Sequence, residues 1–410
     1  MEVSADRTRL RARHRCYLSR LEILLKPADV REAHRTRPVL VPIRAAPRTV
    51  PIIGGGPAGM SCALWLKNYG LRPVLIEKEP ELGGMQRRSP YKNDWLLGRQ
   101  EKSARENAAD FARHVRKAGV EIFTAAQTEA LARLDDELFE TTVLTSGGFQ
   151  KFESAAVVIA TGTAFRCREW IDQVRGAEEV MRLGRLHIGP ACAGEPGADF
   201  GSKVLVVGGG DNAFDVANYL AEKGIKVTLA VRSVSARAQL QLQDRLAKFQ
   251  RAGLVEVLAP TTVTALVPSN NRVIATFSSG APIGIDHVIL TLGYTPNSGQ
   301  DFLQGLSLGR GRLGYLAVGA NAETSCPGIF AIGDVSNPEH PCTATAIAAG
   351  TVAARSIQRR IQVLDGSLTG SVKQEELRSG LDRSDSLQPE ETTGEVAKNT
   401  RPLRYGGVGR

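Results

Sequence analysis

Two glycine-rich segments carry the clearest chemical signal in this sequence, and each follows an apolar run and precedes a helical pattern. They read "VPIIGGGPAGMSCALWLKNYG" at residues 50–70 and "KVLVVGGGDNAFDVANYL" at residues 203–220. In such a unit the glycines allow a tight turn, close approach of a pyrophosphate and close packing of the helix on the strand. The helix N-terminus offers N–H donors and a positive dipole to the phosphate. The pair predicts two dinucleotides, one delivering a hydride and the other receiving it.

The first segment predicts an adenine dinucleotide that lacks a 2′-phosphate. Its glycines fit the pattern G-x-G-x-x-G, and Glu77 ends the following apolar run 23 residues after Gly54. A carboxylate there accepts hydrogen bonds from a ribose and repels a 2′-phosphate, so FAD or NAD is the expected ligand. The residues expected at this site are Gly54, Gly56, Pro57, Ala58, Gly59 and Glu77.

The second segment predicts NADPH rather than NADH. It follows the variant pattern G-x-G-x-x-A, and Arg232 stands 24 residues after Gly208 where an NAD site would favour an acid. Guanidinium groups match the geometry of a 2′-phosphate. The residues expected at this site are Gly208, Gly210, Asp211, Asn212, Ala213, Arg232 and Arg237.

These motifs resemble, in order, those of the two-dinucleotide flavoprotein reductases, within the pyridine nucleotide-disulfide oxidoreductase superfamily. The resemblance is to the low-molecular-weight thioredoxin reductase-like group. It covers residues 50 to about 358 through "IIGGGPAGMSCALWL", "ELGGMQ", "ATGT", "VVGGGDNAFDVANYL", "TLGYTPN" and "CPGIFAIGDV". It implies FAD and NADPH as cofactors, and a rotating NAD(P)H-binding domain inserted into a discontinuous FAD-binding domain.

The resemblance also assigns residues outside the two glycine loops. It implies that Gly333 and Asp334 contact the pyrophosphate and ribityl chain of FAD, and that Gly83 and Gly84 lie near the flavin. The further positions that it places among the cofactor-binding residues are Gln86, Thr161, Gly162 and Gly293.

The sequence departs from the thioredoxin reductase pattern at four places. Of the redox Cys-x-x-Cys before the second loop only Cys192 remains, with Glu195 at its partner's position. An Arg-Gln pair expected after the Gly-Asp motif is replaced within "HPCTATAIAAG", and Met85 stands where a glutamine is expected. Pro51 lies in an expected central strand, where it cannot donate to the ladder, so the motif alone leaves the start of that strand open.

Hydride transfer between two such cofactors needs little acid–base help from the protein. We therefore expect no essential general base, and Cys342 and Cys192 are the candidate redox thiols. Without a disulfide relay the chain is closest in type to ferredoxin or flavodoxin:NADP reductases. The predicted function is an FAD-dependent NAD(P)H oxidoreductase that reduces a ferredoxin, flavodoxin, quinone or small disulfide. The alternatives are a thioredoxin reductase with a non-standard thiol, and a flavin-containing redox sensor or binding protein with little turnover.

Short apolar runs separated by helical segments must position these residues, as in an α/β protein with parallel sheets. The runs are "RPVLIEKE", "AAVVIATGT", "KVLVVGGG", "IKVTLAVRS" and "DHVILTLGYTPN", and residues 99–119 form an amphipathic helical pattern stopped by Gly119. We expect two Rossmann-like domains, with the following division: a basic, disordered extension at 1–47, FAD-binding parts at 48–165 and 296–362, an NAD(P)H-binding domain at 166–295, and a disordered tail at 363–410.

Composition limits the partners. Residues 1–49 carry twelve Arg or Lys against five Asp or Glu, so they supply +7 of the chain's net +9 and leave no reason to expect nucleic acid. The sequence contains no apolar run of 18 or more residues, so we predict no membrane-spanning helix. The six cysteines form no Cys-x-x-Cys pair, which favours a reducing cytoplasm, with organelle targeting by the N-terminal extension as the minor alternative. We expect a homodimer.

Overall fold

The computed structural model describes residues 47–93, 95–195 and 197–367. Within them the chain forms seven α-helices: α1 (Pro57–Asn68), α2 (Ala104–Lys117), α3 (Arg168–Gln173), α4 (Ala177–Arg182), α5 (Asp211–Glu222), α6 (Leu240–Arg251) and α7 (Thr343–Leu364). The strands are β1 (Thr49–Ile53), β2 (Arg72–Ile76), β3 (Glu121–Phe123), β4 (Gln127–Arg133), β5 (Phe139–Thr145), β6 (Gly148–Ser154), β7 (Val157–Ile159), β8 (Thr163–Phe165), β9 (Leu186–Ile188), β10 (Lys203–Val207), β11 (Lys226–Ala230), β12 (Val255–Leu258), β13 (Val263–Ser269), β14 (Arg272–Phe277), β15 (Ile283–Ile285), β16 (His287–Leu290), β17 (Tyr294–Pro296) and β18 (Ile329–Ala331).

The predictions for residues 1–47 and 363–410 fall almost wholly outside the described residues. Residues 363 and 364 are an exception. They were expected in the disordered tail, but α7 continues to Leu364. Within the described ranges no helix has the length and apolarity to cross a membrane.

Two parallel five-stranded sheets confirm the α/β fold class. Their strand orders are β18-β7-β1-β2-β3 and β12-β11-β10-β16-β9. Each of the five apolar runs forms a strand of one of these sheets, and their central residues, such as Val206 and Ile289, are fully buried. Because helices cover parallel sheets, such strands are apolar on both faces rather than alternating.

Pro51 lies inside β1, which begins at Thr49. Successive residues of a parallel strand bond to opposite neighbours. Gly54 donates to Ile76 at the end of β2, and Ile53 accepts from the loop after β7, so the nitrogen of Pro51 faces β7. Pairing with β7 begins only at Ile52, so the missing N–H falls one residue before that ladder. A proline is therefore tolerated in a central strand here.

The helix predicted over residues 99–119 is shorter at its start, because α2 begins at Ala104. Ser103 accepts from the Glu106 N–H, and Glu106 in turn accepts from the Ser103 N–H, which forms a capping box. Such a box satisfies two N–H groups that a helix start otherwise leaves without partners. Gly119, with φ of 70°, follows the helix end as expected.

A two-stranded ribbon joins the chain segments of the two sheets. The chain passes from the first sheet through β8 and returns through β17, and these strands pair antiparallel from Phe165↔Tyr294 to Thr163↔Pro296. Two antiparallel meanders complete the fold, β4-β5-β6 and β13-β14-β15. The strand membership supports the division at 48–165, 166–295 and 296–362, which we keep as a proposal.

Candidate cofactor site

A cleft of about 3240 Å³ lies at the carboxyl ends of both parallel sheets. Ligands of open α/β sheets bind at this edge because the loops after adjacent strands meet there. The cleft is lined by most of the predicted cofactor-binding residues: Gly54, Gly56, Pro57, Ala58, Glu77, Gly84, Gln86, Thr161, Gly162, Gly208, Gly210, Asp211, Asn212, Arg232, Arg237, Gly293, Gly333 and Asp334. Cys342 also lines it. Gly59, Gly83, Ala213 and Cys192 are not part of its lining.

The three glycines of the first loop each meet a different steric demand. Gly54 has φ of 118°, and a Cβ there would lie 2.2 Å from the Ala160 carbonyl oxygen. A Cβ on Gly59 would lie 2.0 Å from the carbonyl oxygen of Gly54, so this glycine lets α1 approach β1. Gly56, the N-cap of α1, has open space around it. The loop therefore fits a phosphate group at the N-terminus of α1.

Glu77 is buried directly beneath this loop. Its Oε2 accepts from the Gly55 N–H at 2.8 Å, and its Oε1 accepts from the Glu79 N–H at 2.9 Å. A carboxylate oxygen has two lone pairs, so both atoms can still accept from a ribose hydroxyl. The side chain thus ties the loop to the end of β2 and remains able to bind a sugar.

Gly83 and Gly84 pack against the underside of the first loop. The Gly83 N–H donates to the Gly55 carbonyl at 2.9 Å. A Cβ on Gly84 would lie 3.2 Å from the Gly56 Cα, so a larger residue would press on the loop. Both glycines have positive φ, 125° and 57°. They hold the segment close enough for the following residues to reach the cleft.

Gln86 is joined to the start of α7. Its Nε2 donates to Thr343 Oγ1, while its buried Oε1 has no hydrogen-bond partner within the described residues. A buried acceptor without a partner costs free energy, and a ligand N–H would remove that cost. The orphaned atom supports a cofactor ring in this part of the cleft. Thr343 stands in the segment where the expected Arg-Gln pair is missing.

Asp334 is a carboxylate with raised proton affinity. Burial raises its pKa to about 6, because desolvation disfavours the charged form. Gly333, with φ of 73°, turns the chain between β18 and this side chain, and a Cβ there would lie 2.8 Å from Ala58 Cβ. The hydroxyls of a ribityl chain would restore the hydrogen bonds that burial removes.

The second loop repeats the design of the first. A Cβ on Gly208 would lie 2.4 Å from Thr291 Oγ1, whereas Gly210 has open space at the N-terminus of α5. Asp211 anchors the following loop by accepting from the N–H and the Nε2 of Gln239. Asn212 donates from Nδ2 to Tyr294 Oη at 2.6 Å, which connects this loop to the ribbon. The geometry fits a second dinucleotide.

Arg232 and Arg237 are exposed on the loop after β11. The Arg237 N–H donates to the Gly209 carbonyl at 2.7 Å, so this arginine lies directly over the second glycine loop. Neither guanidinium forms an ion pair with a carboxylate in the part of the chain that the structure describes. Both are free to bind a phosphate in the cleft.

Thr161 and Gly162, which precede β8, are hydrogen-bonded to Asn297, which follows β17. Thr161 Oγ1 donates to the Asn297 carbonyl at 3.0 Å, and Asn297 Nδ2 donates back to the Thr161 carbonyl at 2.8 Å. Gly162 accepts from the Asn297 N–H, and Gly293 accepts from the Arg166 N–H. These bonds hold both chain segments that join the two sheets, at β8 and β17, at the floor of the cleft.

The two candidate thiols differ in environment. Cys192 is mostly buried on the 3₁₀ segment Pro190–Gly194 and donates to the Gly189 carbonyl at 3.1 Å. Burial, with a smaller contribution from Glu195, raises the pKa of this thiol to about 12. Since the thiolate is the reactive form, Cys192 is a poor nucleophile. Cys342 is the N-cap of α7 and faces the cleft.

Sequence reasoning missed four residues of this site: Asn297, Tyr294, Thr343 and Asp215. Asp215, one turn after Asp211 in α5, is mostly buried, and burial and then the charge of Asp211 raise its pKa to about 6. Asp215 lies four residues after Asp211, and this spacing, which puts both on one helix face, is the signal that could have identified it. The partners of the other three lie far away in the sequence.

Comparison with known proteins identifies relatives over most of the chain. Residues 48–355 match the sequence model of the family described as pyridine nucleotide-disulphide oxidoreductase. A ferredoxin–NADP reductase of Ignicoccus hospitalis is 29% identical over 299 residues, which cover 70% of this chain and 90% of that protein. A thioredoxin reductase of Listeria monocytogenes is 29% identical over 335 residues, covering 78% of this chain and 95% of that protein.

A solved structure shows the same fold. The crystal structure of T. acidophilum thioredoxin reductase superposes with a TM-score of 0.66 at 23% identity. The match covers 76% of this chain and 98% of that one. At this identity the likeness concerns the arrangement of the elements.

Proposed function

The chain belongs to the pyridine nucleotide-disulphide oxidoreductase family, and on that premise we propose that it passes electrons from NADPH to a small redox protein without an internal disulfide. It is an FAD-dependent NAD(P)H oxidoreductase, with FAD and NADPH as its cofactors. The observation that carries the proposal is the state of Cys192. Its thiol is mostly buried, which raises its pKa to about 12, and Glu195 stands where a second sulfur would be needed.

The chain's own residues bind and orient the two cofactors. We assign the first loop, Glu77 and Asp334 to FAD, and the second loop with Arg232 to NADPH. FAD supplies the chemistry, because a flavin accepts a hydride and can release its electrons singly. The N-termini of α1 and α5 hold the two pyrophosphates. Glu77 selects an unphosphorylated ribose, and Arg232 with Arg237 selects a phosphorylated one.

The name of one relative supports the acceptor. The Ignicoccus protein is a ferredoxin–NADP reductase, an activity that needs no thiol relay. A second candidate is a thioredoxin reductase that uses a non-standard thiol, which Cys342 favours because it faces the cleft. We also propose a cytoplasmic location, since all five cysteines in the described residues are free. The homodimer stays a prediction that rests on the resemblance.

Substitution of Cys192 tests whether electrons pass through this thiol. Cys192→Ser keeps a hydrogen-bond donor for the Gly189 carbonyl, and electrons need no sulfur at this site. We therefore expect NADPH oxidation with a one-electron acceptor to stay within about threefold of the original rate, a barrier change of about 0.7 kcal/mol. Steady-state absorbance at the NADPH band measures it, and Cys342→Ser is the companion variant. Loss of turnover in Cys192→Ser, with FAD still bound and reducible, would establish a disulfide relay instead.

Arg232 should determine the preference for NADPH. A charge-assisted hydrogen bond to phosphate contributes about 1.5–3 kcal/mol, so Arg232→Ala should reduce the NADPH over NADH preference by at least about tenfold. The loss should appear in KM, because the 2′-phosphate is remote from the hydride. Flavin reduction by each nucleotide measures the ratio.

Lys226→Ala provides the matched control, because this exposed cation begins the strand that Arg232 follows. It should leave the ratio unchanged. Equal use of both nucleotides by the unaltered protein would contradict the assignment of Arg232.

A further inference from the structure

A loop at the rim of the cofactor cleft presents two large apolar side chains to solvent. Residues 92–93 and 95–103 belong to this loop, which a β-bridge between Lys92 and Ser103 closes at its base. Leu96 is buried and anchors the loop to the protein. Trp95 is 67% exposed and Leu97 is 99% exposed. Exposed aromatic side chains on a fixed scaffold are typical of contact sites for other molecules.

The base of the loop contacts the cofactor site itself. The Asn93 N–H donates to the Lys102 carbonyl, and Asn93 Nδ2 lies 3.4 Å from Thr343 Oγ1. Thr343 is the first residue of α7 and also accepts from Gln86. A molecule seated on Trp95 and Leu97 would therefore lie at the rim of the flavin part of the cleft.

The same loop and the neighbouring helix α2 carry a cluster of cations. Asp110 on α2 accepts from Arg99, from Lys102 at 2.6 Å and from Arg113 at 2.9 Å, so three cations share one carboxylate. Hydrogen bonds from these cations, first of all Lys102, hold the pKa of Asp110 well below its usual range. The cluster keeps an excess of two positive charges at every pH of interest.

The sequence around the loop is basic as a whole. Residues 84–117 contain nine Arg or Lys against four Asp or Glu, a net charge of +5. With +7 in residues 1–49 and +9 in total, all other residues together are slightly acidic. The near-neutral sum over residues 50–410 therefore conceals basic stretches, and one of them includes the exposed loop. Within this stretch Arg87 and Arg88 pair with Glu79, so the cations nearest the loop are those around Asp110.

We propose that Trp95 and Leu97, with the cations around Asp110, form the docking surface for a small redox carrier protein with an acidic face. This inference rests on the proposed function and names the chemistry of its acceptor. Opposite charge accelerates encounter and fixes orientation, while a central aromatic side chain supplies most of the binding free energy. NADPH yields two electrons and a proton to become NADP⁺. Two carrier molecules take one electron each, and the proton passes to solvent.

Binding and turnover of an acidic [2Fe–2S] ferredoxin test the surface. Trp95→Ala in the flavin-loaded protein should weaken ferredoxin binding, measured by calorimetry, at least about tenfold. Arg113→Glu should weaken it by about threefold to tenfold at about 20 mM NaCl and much less at about 200 mM, where charges are screened. Both variants should retain FAD and reduce ferricyanide with NADPH at the original rate.

Two matched variants serve as controls. Phe149→Ala removes a side chain of the same exposure, 66%, on the distant strand β6. Arg72→Glu reverses an exposed, ion-paired arginine at the amino end of the first sheet, opposite the cleft. Both should bind and reduce ferredoxin as the original protein does.

Several results would overturn the docking surface while leaving the oxidoreductase intact. These are unchanged ferredoxin binding in Trp95→Ala, and reduction of ferricyanide without binding of ferredoxin by the original protein. Self-association or binding to phosphatidylglycerol vesicles that depends on Trp95, with ferredoxin unaffected, would assign the surface to another occupant. If the original protein oxidises no NADPH even with ferricyanide, the proposed function itself fails.

Discussion

Gly59→Ala is expected to destabilise the protein and to impair FAD binding together. The added Cβ would lie 2.0 Å from the Gly54 carbonyl oxygen, a backbone atom that cannot move without moving the glycine loop. Overpacking of this kind costs about 1–3 kcal/mol, so the free energy of unfolding of the flavin-free protein should fall by that amount. FAD affinity should fall at least about tenfold, because α1 is pushed away from β1. Urea denaturation and flavin fluorescence titration measure the two effects.

Gly56→Ala separates the roles of the glycines. Gly56 has no atom within 4 Å of an added Cβ and a negative φ of −74°, so the flavin-free protein should remain as stable as the original. Its FAD affinity should still fall, since the methyl group occupies the space for the pyrophosphate. Gly147→Ala, in the turn between β5 and β6, should change neither property. A Gly59→Ala protein with normal stability and FAD content would refute the close packing of α1 on β1.

Asp334→Asn should stabilise the flavin-free protein at neutral pH. Burial raises the pKa of Asp334 from 3.8 to about 6, so the folded state binds more protons than the unfolded state between these values. The free energy of unfolding therefore falls as pH rises through this window, and the loss is complete above about pH 6. A shift of this size corresponds to on the order of 3 kcal/mol at pH 8, which the neutral amide should recover.

The advantage of Asp334→Asn should disappear below about pH 4, where the carboxyl is protonated in both states. Urea denaturation at pH 4 and pH 8 measures it, and Asp301→Asn, at an exposed position, is the control. FAD affinity of Asp334→Asn should fall, because the ribityl hydroxyls lose a charged acceptor. Equal stability of both proteins at pH 8 would show that Asp334 is well solvated in the folded state.

The fold was predictable from sequence where burial dictates composition. The five apolar runs became parallel strands because strands covered on both faces need continuous apolar residues. The two meanders were not predicted. Strands such as β4, "QTEALAR", and β6, "GFQKFES", expose most of their residues, so local pairing rather than composition holds them in place. The predicted start of α2 was wrong because the helical sequence pattern continues upstream of Ser103. In the structure the capping box of Ser103 sets the start of the helix at Ala104.

The candidate site was predictable at positions where the backbone geometry allows only one type of residue. Glycine is needed at positions 54 and 208 because a neighbouring carbonyl leaves no room for a side chain. The position of Glu77 followed from the end of a strand. The bonds from Asn297 to Thr161 and from Gln86 to Thr343 join residues more than 130 positions apart, and no local pattern signals them. The basic loop is not predictable from the total charge, which carries no information on where the charges lie.

The ribbon of β8 and β17 has a consequence for how this protein arose and how it can be rebuilt. Directly opposed residues of antiparallel strands lie about 5 Å apart, so the chain leaves at Phe165 and returns at Tyr294 almost to the same point. Joining these ends by a short turn would therefore cost little loop-closure entropy. The sequence between them is a cassette that genetic insertion can add, delete or exchange for that of a relative, and a chimaera made at these two positions would keep the first sheet in its original register.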